Sequence, residues 1–466
     1  MRDGDTSVRC ERPLAVRCGA FGDMVLLTAL IRMLHAQFRC PVDIVTSGPW
    51  SEPLLRGQPG VGDVWSVRSR KTPYWLSSGQ QRLVRHLRAR GAGPTWYCDG
   101  SDAARPLLAR AGIAEEFIVD VKNHPLLPGE HATEQWRRFA QIMPVALVAL
   151  VAQSATTPNL VAPPPAELAG VAPGVVRAGV TPRAPPAQSA ATPNLVAPPP
   201  AELAGVAPGV VRAGVTPRAP AAQSAATPNL VVPRLVEHSG VVPKVARAGV
   251  APVTRELRDA ELAAVTPGCY LQVGEAQRVD LERWLRGRGL ASESLILVQI
   301  GNKRTMRRGL RRLAVNHKYW PNERWAEVLR QLRLQCPDHA IVLLGTGPEY
   351  ALNQEVAALA NIARLYNAAD DLPITRLVAL LARAAGLITV DSGPAHAAAA
   401  VGCPQVVLFG KALPSLYRPW GTAGADVKVL CGEVAGQPDM LGIEARSVVE
   451  AWSRLKLRAR LETGLS

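Results

Sequence analysis

Aromatic residues are few: 10 Trp, 7 Tyr and 5 Phe in 466 residues, and none between Phe139 and Tyr270. A stretch of that length without a ring lacks the side chains that contribute most buried area to cores. Long apolar runs are missing as well. The longest, Ile142 to Ala152, has 11 residues and contains Pro144, against the roughly 20 that a membrane-crossing helix needs. The first 23 residues alternate charge with short apolar runs, so no secretory leader is expected there. The eight cysteines (10, 18, 40, 98, 269, 336, 403 and 431) form no CxxC pair, and no His stands at ligand spacing. That excludes the usual zinc and dithiol motifs and fits a reducing compartment better than a disulfide framework. Acidic residues are outnumbered, 38 against 53 Lys and Arg, for a net charge of +15. Such a chain attracts polyanions. With no zinc finger, RNP-like aromatic motif or basic heptad region, nucleic acid is not the expected partner.

What the chain has in excess is proline, and unevenly. Of 40 prolines, 19 lie between Ala152 and Glu256. This stretch is a tandem repeat of period 35. Residues 152–186 recur at 187–221 with two changes, and again, more loosely, at 222–256. The period suggests a helical solenoid, but Pro163-Pro164-Pro165 and its counterparts break any helix pair. The units also lack the large apolar residues that stacked repeats bury. The composition predicts a disordered or loosely extended insertion with polyproline-II-like stretches, a semi-rigid spacer or proline-rich partner ligand being its functional alternative. The repeat carries +4 of the net charge, leaving +11 for the rest. Without the three copies 361 residues remain, a size suited to two domains.

Both flanks read as alternating strands and helices. Before the repeat, Leu14–Cys18 is a buried strand, Gly19 to Asp23 a turn, and Met24–Phe38 an amphipathic helix. Strands follow at Pro41–Ser47 and Val61–Val67, then helices at Gln80–Arg90 and 131–143. After the repeat, strands are expected at Ser294–Gly301, His339–Gly347, Gly386–Val390 and Gln405–Gly410. The helices between and around them are Asp280–Gly287, Asn322–Gln335, Glu349–Ala360, Ile374–Ala384 and Pro394–Val401. This alternation predicts an α/β chain with two Rossmann-like domains facing a cleft. The expected bounds are 13–143 for the first, 144–268 for the insertion and 269–466 for the second.

Three groups of residues can carry chemistry. Gly19 and Gly22 permit a tight turn at a helix N-terminus that favours an anion, and Asp23 closes that turn. The spacing is not GxGxxG and no acid ends the second strand, so a dinucleotide is not indicated; the plain structural reading of Asp23 is an N-cap carboxylate. Asp391, Ser392, Gly393 and His396 follow a strongly apolar strand, where α/β folds bind phosphates; the plain reading is a capped helix with a packed histidine. Lys303, Arg304, Arg307, Arg308, Arg311, Arg312 and Lys318 place seven cations in 16 residues. Such a run is ordinarily a solvated face, but beside a phosphate site it suits a diphosphate or a phosphorylated acceptor.

At these residues the chain resembles glycosyltransferase family 9, the bacterial lipopolysaccharide heptosyltransferases. RCGAFGDMVLLTALIRMLHAQF is similar to the family's opening R-x-G-x-x-G-D segment, and KYWPNERWAEVLRQL to its K-x-W-P helix entry. LLGTGPEYA resembles its G-x-x-x-E element, and DSGPAHAAAAVGCPQVVLFG its D-T/S-G-P-x-H signature. Ser392 stands where threonine is common, and Lys411-Ala412-Leu413-Pro414 replaces the usual Pro-Thr-x-Pro.

The resemblance implies a GT-B fold, with the acceptor on the first domain and the nucleotide-sugar on the second. It implies inverting, metal-independent transfer of a sugar, heptose by the family, from an ADP-linked donor to a phosphorylated, lipid-linked core oligosaccharide, with no separate cofactor. Asp23 would be the catalytic base, with Gly19 and Gly22 forming the acceptor-site turn. Lys318 would meet the donor phosphates and Glu349 the nucleoside; Asp391, Ser392, Gly393 and His396 would complete the donor site. The work would be done at the cytoplasmic face of the inner membrane, by peripheral contact. The alternatives are a degenerate relative that binds a sugar-nucleotide or a partner without catalysis, and a GT-B sugar-nucleotide epimerase.

Overall fold

The computed structural model describes residues 12–67, 72–148, 265–302 and 316–458. The repeat at 152–256 and the cations from Lys303 to Arg312 lie outside them. The first half runs β1 (Leu14–Arg17), α1 (Phe21–Phe38), β2 (Val42–Thr46), α2 (Ser51–Leu55), β3 (Val61–Ser66) and α3 (Ser78–Arg90). It continues through β4 (Thr95–Tyr97), α4 (Arg105–Arg110), β5 (Ile118–Asp120) and α5 (Ala132–Ala140). Its five strands are all parallel, in the order β3-β2-β1-β4-β5.

The second half runs α6 (Glu275–Arg286), β6 (Ser294–Gln299), α7 (Asn322–Gln335), β7 (His339–Leu344), α8 (Tyr350–Ala360), β8 (Leu365–Asn367) and α9 (Ile374–Arg383). Then come β9 (Gly386–Val390), α10 (Gly393–Ala400), β10 (Gln405–Phe409), α11 (Pro414–Tyr417), β11 (Val427–Cys431) and α12 (Ala445–Ser453). The order β11-β10-β9-β6-β7-β8 is again parallel throughout.

The strands are near-continuous apolar runs because helices cover both faces of each sheet. Leu295 to Val298 are wholly buried. Helix α7 buries Trp325, Val328, Leu329 and Leu332, the i, i+3, i+4, i+7 stripe of its sequence. Trp320 meets Trp325 edge to face at 4.8 Å, and its indole N–H donates to the Ile443 carbonyl at 3.0 Å.

Strand order reverses between β1 and β4 in one sheet and between β6 and β9 in the other. Ligands of open α/β sheets bind at such switch points, outside the carboxyl ends of the strands. The two halves are joined by one apolar cluster that includes residues of α1, α2, α9 and α10. The segment that returns after the repeat is fastened to the first half. The Tyr270 N–H donates to Thr28 Oγ1 at 3.1 Å, and Gln58 and Gln272 exchange two hydrogen bonds of 3.0 and 2.7 Å.

Helix α1 starts three residues earlier than its apolar period suggests, because the Asp23 carboxylate reaches back to the Ala20 N–H at 2.7 Å. Helix α6 starts at Glu275 rather than Asp280, with Gln277 Oε1 accepting from the Gly274 N–H at 2.7 Å. Strands β4, β5 and β8 have three residues each, too few to show a period in sequence.

Candidate active site

Asp23 occupies the first turn of α1, at the switch point of the first sheet. Its Oδ2 accepts the Ala20 N–H, and its Oδ1 accepts Arg17 Nη2 at 2.7 Å. Arg17 ends β1 and donates its other terminal nitrogen to the Cys98 carbonyl at the end of β4, while its guanidinium lies 5.7 Å from the Trp136 ring. Both carboxylate oxygens are thus positioned, yet the side chain stays a third exposed. Gly19 is required here, since a Cβ would stand 2.5 Å from that of Asp23.

Gly22, one residue earlier, faces the other half. A Cβ on it would stand 3.3 Å from both Gly393 Cα and His396 Cδ2. A Cβ on Gly393 would collide with the Phe21 ring and stand 3.0 Å from the Gly22 nitrogen. The N-termini of α1 and α10 therefore meet through two glycines, and the alanines of α10 let the helices pack behind that point.

On the second sheet, Asp391 follows β9, and Lys318 Nζ donates to its carbonyl at 2.8 Å and its Oδ2 at 2.5 Å. The lysine and the D-S-G-P-A-H signature, 73 residues apart in the chain, form one cluster. Ser392 is the N-cap of α10 without a capping side-chain bond; its hydroxyl lies 3.2 Å from Thr389 Oγ1. His396 is buried, and its Nδ1 has no hydrogen-bond partner among the described residues. Burial pushes its imidazole down to about 4, against the pull of the Asp391 charge. It is a neutral hydrogen-bonding group at pH 7, not a cation.

Glu349 ends the short 3-10 turn Gly347–Glu349 that links β7 to α8. Its Oε2 accepts the Thr346 N–H and hydroxyl at 2.8 Å each. Its Oε1 is buried without a partner among the described residues and faces Gly301, at the end of β6, so closely that a Cβ there would strike it. Burial raises this carboxyl above the usual range, the Thr346 bonds opposing.

Two residues absent from the expected set belong to the same region. Arg17 is the first letter of the R-x-G-x-x-G-D segment, and its place beside Asp23 was visible there. His131 was not. It caps α5 with Nδ1 accepting the Thr133 N–H at 3.2 Å, while Nε2 lies 2.7 Å from the Arg418 carbonyl. A carbonyl only accepts, so Nε2 carries the proton. The ring also meets Trp420 edge to face at 5.2 Å, and burial lowers its pKa. No sequence signal links positions 287 residues apart.

Residues 311–435, a span holding Lys318, Glu349 and the Asp391 to His396 signature, match the family model described as glycosyltransferase family 9 (heptosyltransferase). The chain is family 9 glycosyltransferase-like. Lipopolysaccharide heptosyltransferase 2 of Escherichia coli (strain K12) is 29% identical over 118 residues, 25% of this chain and 33% of that protein. Lipopolysaccharide heptosyltransferase 3 of Escherichia coli is 33% identical over 106 residues, 22% and 30% of the two chains. The family 9-like chain thus spans about a third of the length of the curated relatives it matches.

Solved structures extend the likeness of fold across both halves. ADP-heptose lps heptosyltransferase II of E. coli superposes with a TM-score of 0.53 at 16% identity, over 95% of this chain and 97% of that one. A family 9 glycosyl transferase from Veillonella parvula DSM 2008 does so with a TM-score of 0.57 at 15% identity, over 96% and 98%. The fold of this family 9-like chain is GT-B.

Proposed function

We propose that the protein transfers a sugar, heptose by its relatives, from an ADP-sugar to a phosphorylated, lipid-linked lipopolysaccharide core acceptor, with inversion. One observation carries the reading: the Asp23 turn at the switch point of the first sheet abuts, at Gly22, the Gly393–His396 turn at the switch point of the second. An acceptor on the first domain (13–143) then faces a donor on the second (269–466) across the meeting point of α1 and α10.

Asp23 takes the proton of the attacking acceptor hydroxyl. That oxygen bonds the anomeric carbon from the face opposite the diphosphate, and the C–O bond to the diphosphate breaks as ADP leaves. The leaving oxygens gain charge. The Lys318 ammonium exchanges its Asp391 contact for them, and the N-terminus of α10, led by the Gly393 N–H, adds positive potential there. These groups supply the positive potential that a divalent cation supplies in other transferases, which supports metal-independent transfer without a separate cofactor. His396, neutral, offers a hydrogen bond, and the buried Oε1 of Glu349, without a partner among the described residues, suits a nucleoside hydroxyl.

The test is ADP release from ADP-heptose in the presence of heptose-deficient core lipid. Asp23→Asn should lose roughly 10²- to 10⁴-fold in kcat. Release by that variant at the wild-type rate refutes the assigned base.

A further inference from the structure

Trp75 and Leu76 are 73% and 60% exposed, and they occupy a turn that is built rather than loose. Gln81 Nε2 donates to the carbonyls of Tyr74 and Trp75 at 3.2 and 3.1 Å. Gln80 Nε2 donates to the Thr72 carbonyl at 2.8 Å, Ser77 caps α3, and the Tyr74 ring carries the Arg110 guanidinium at 4.9 Å. The turn holds itself by polar bonds and presents its two apolar side chains to solvent.

The sequence around it carries charge of one sign. From Val64 to Cys98 there are seven Lys and Arg and no Asp or Glu. Arg90 is used by Asp43 and Arg88 by the Arg110 carbonyl. Arg82 and Arg85, in the first two turns of α3, are exposed and have no carboxylate partner among the described residues. Because the first sheet is parallel, the connection after β3 lies at the same edge as the Asp23 turn after β1.

We infer that Trp75, Leu76, Arg82 and Arg85 form the surface by which the protein docks on an anionic lipid bilayer. An exposed indole and leucine, followed by arginines with no carboxylate partner among the described residues, suit the headgroup boundary, where the rings and alkyl groups enter the acyl edge and the guanidiniums meet lipid phosphates. The docking places the Asp23 edge at the membrane. It rests on the proposed function only for why that edge should face lipid.

The experiment is co-sedimentation of the full chain with vesicles of phosphatidylcholine, alone or with about 30% phosphatidylglycerol. Wild type should sediment with the anionic vesicles, less so in high salt, and not with phosphatidylcholine alone. Trp75→Ser/Leu76→Ser and Arg82→Gln/Arg85→Gln should each weaken partition about tenfold or more. Transfer to a soluble acceptor fragment should be unchanged in the Trp75→Ser/Leu76→Ser variant. Bromolipid quenching seen in wild type should fall in Trp75→Phe, a substitution that keeps the ring. Failure of wild type to bind anionic vesicles overturns the inference, as does wild-type binding by the Trp75→Ser/Leu76→Ser variant. Binding lost only with the arginines and competed by soluble core sugar would assign α3 to the acceptor instead. Vesicle binding needs no catalysis, so a chain inactive on ADP-heptose leaves this result standing.

Discussion

Asp23 is oriented by an arginine side chain on one oxygen and a backbone amide on the other, 2.7 Å from each. Arg17 in turn is fixed by the Cys98 carbonyl and the face of Trp136, so the β1–β4 switch point and α5 jointly aim the carboxylate. His396 shows burial acting in the opposite sense, on a group kept neutral. Its folded pKa of about 4 lies below the unfolded value, so the unfolded chain binds the extra proton first as pH falls. The stability it contributes is complete above about 6.5 and is lost progressively towards 4, on the order of 3 kcal/mol in all. His131, also lowered by burial, adds to the same slope. Thermal unfolding followed from pH 7 to 5 should show a steeper fall in Tm for wild type than for His396→Gln. An identical slope would mean that His396 is already solvated and protonated in the fold.

At the scale of elements, the contact between α1 and α10 decides what the turns can do. Phe21, Gly22 and Gly393 leave no room for a methyl group. Gly393→Ala should therefore destabilise by about 1–3 kcal/mol through overpacking and lower activity with it. Gly79→Ala, the same chemical change in α3 where nothing stands within 4 Å, should be neutral or slightly stabilising. Urea unfolding of both variants checks the contrast; equal effects would show that the α1–α10 contact is slack. The elements themselves were legible unevenly. Helix α7 and strand β9 have the bounds their patterns suggest, because a complete apolar stripe and a wholly buried run leave no ambiguity. The three-residue strands were not legible, since TWY and IVD become strands only by pairing with neighbours already in place. The start of α1 depended on a side-chain bond that periodicity does not encode.

In the whole molecule, the described residues of the first half end at 148 and resume at 265. Cys269 pairs with Trp420 and Gly421, its N–H donating to the Trp420 carbonyl at 2.8 Å. Arg32 Nη1 donates to the Thr266 carbonyl at 2.9 Å. These contacts lie among the described residues, which exclude residues 152–256. Replacing them with a Gly/Ser linker of about 20 residues should leave Tm and ADP release unchanged. A large gain of activity would favour a catalytically impaired relative over a working transferase, and a loss would give the repeat a part in the reaction.

The sequence by itself determined the alternation of apolar strands with striped helices, the foreign repeat, the excess of positive charge and the residue types at each strand end. These follow from local periodicity and composition, which act within a few residues. Only the tertiary structure decided which of those residues meet. Lys318 reaches Asp391 across 73 positions and His131 reaches Arg418 across 287, because sheet order and helix packing join distant strand ends. The same packing left Trp75 and Leu76 outside, where their apolar character alone would have placed them in the core.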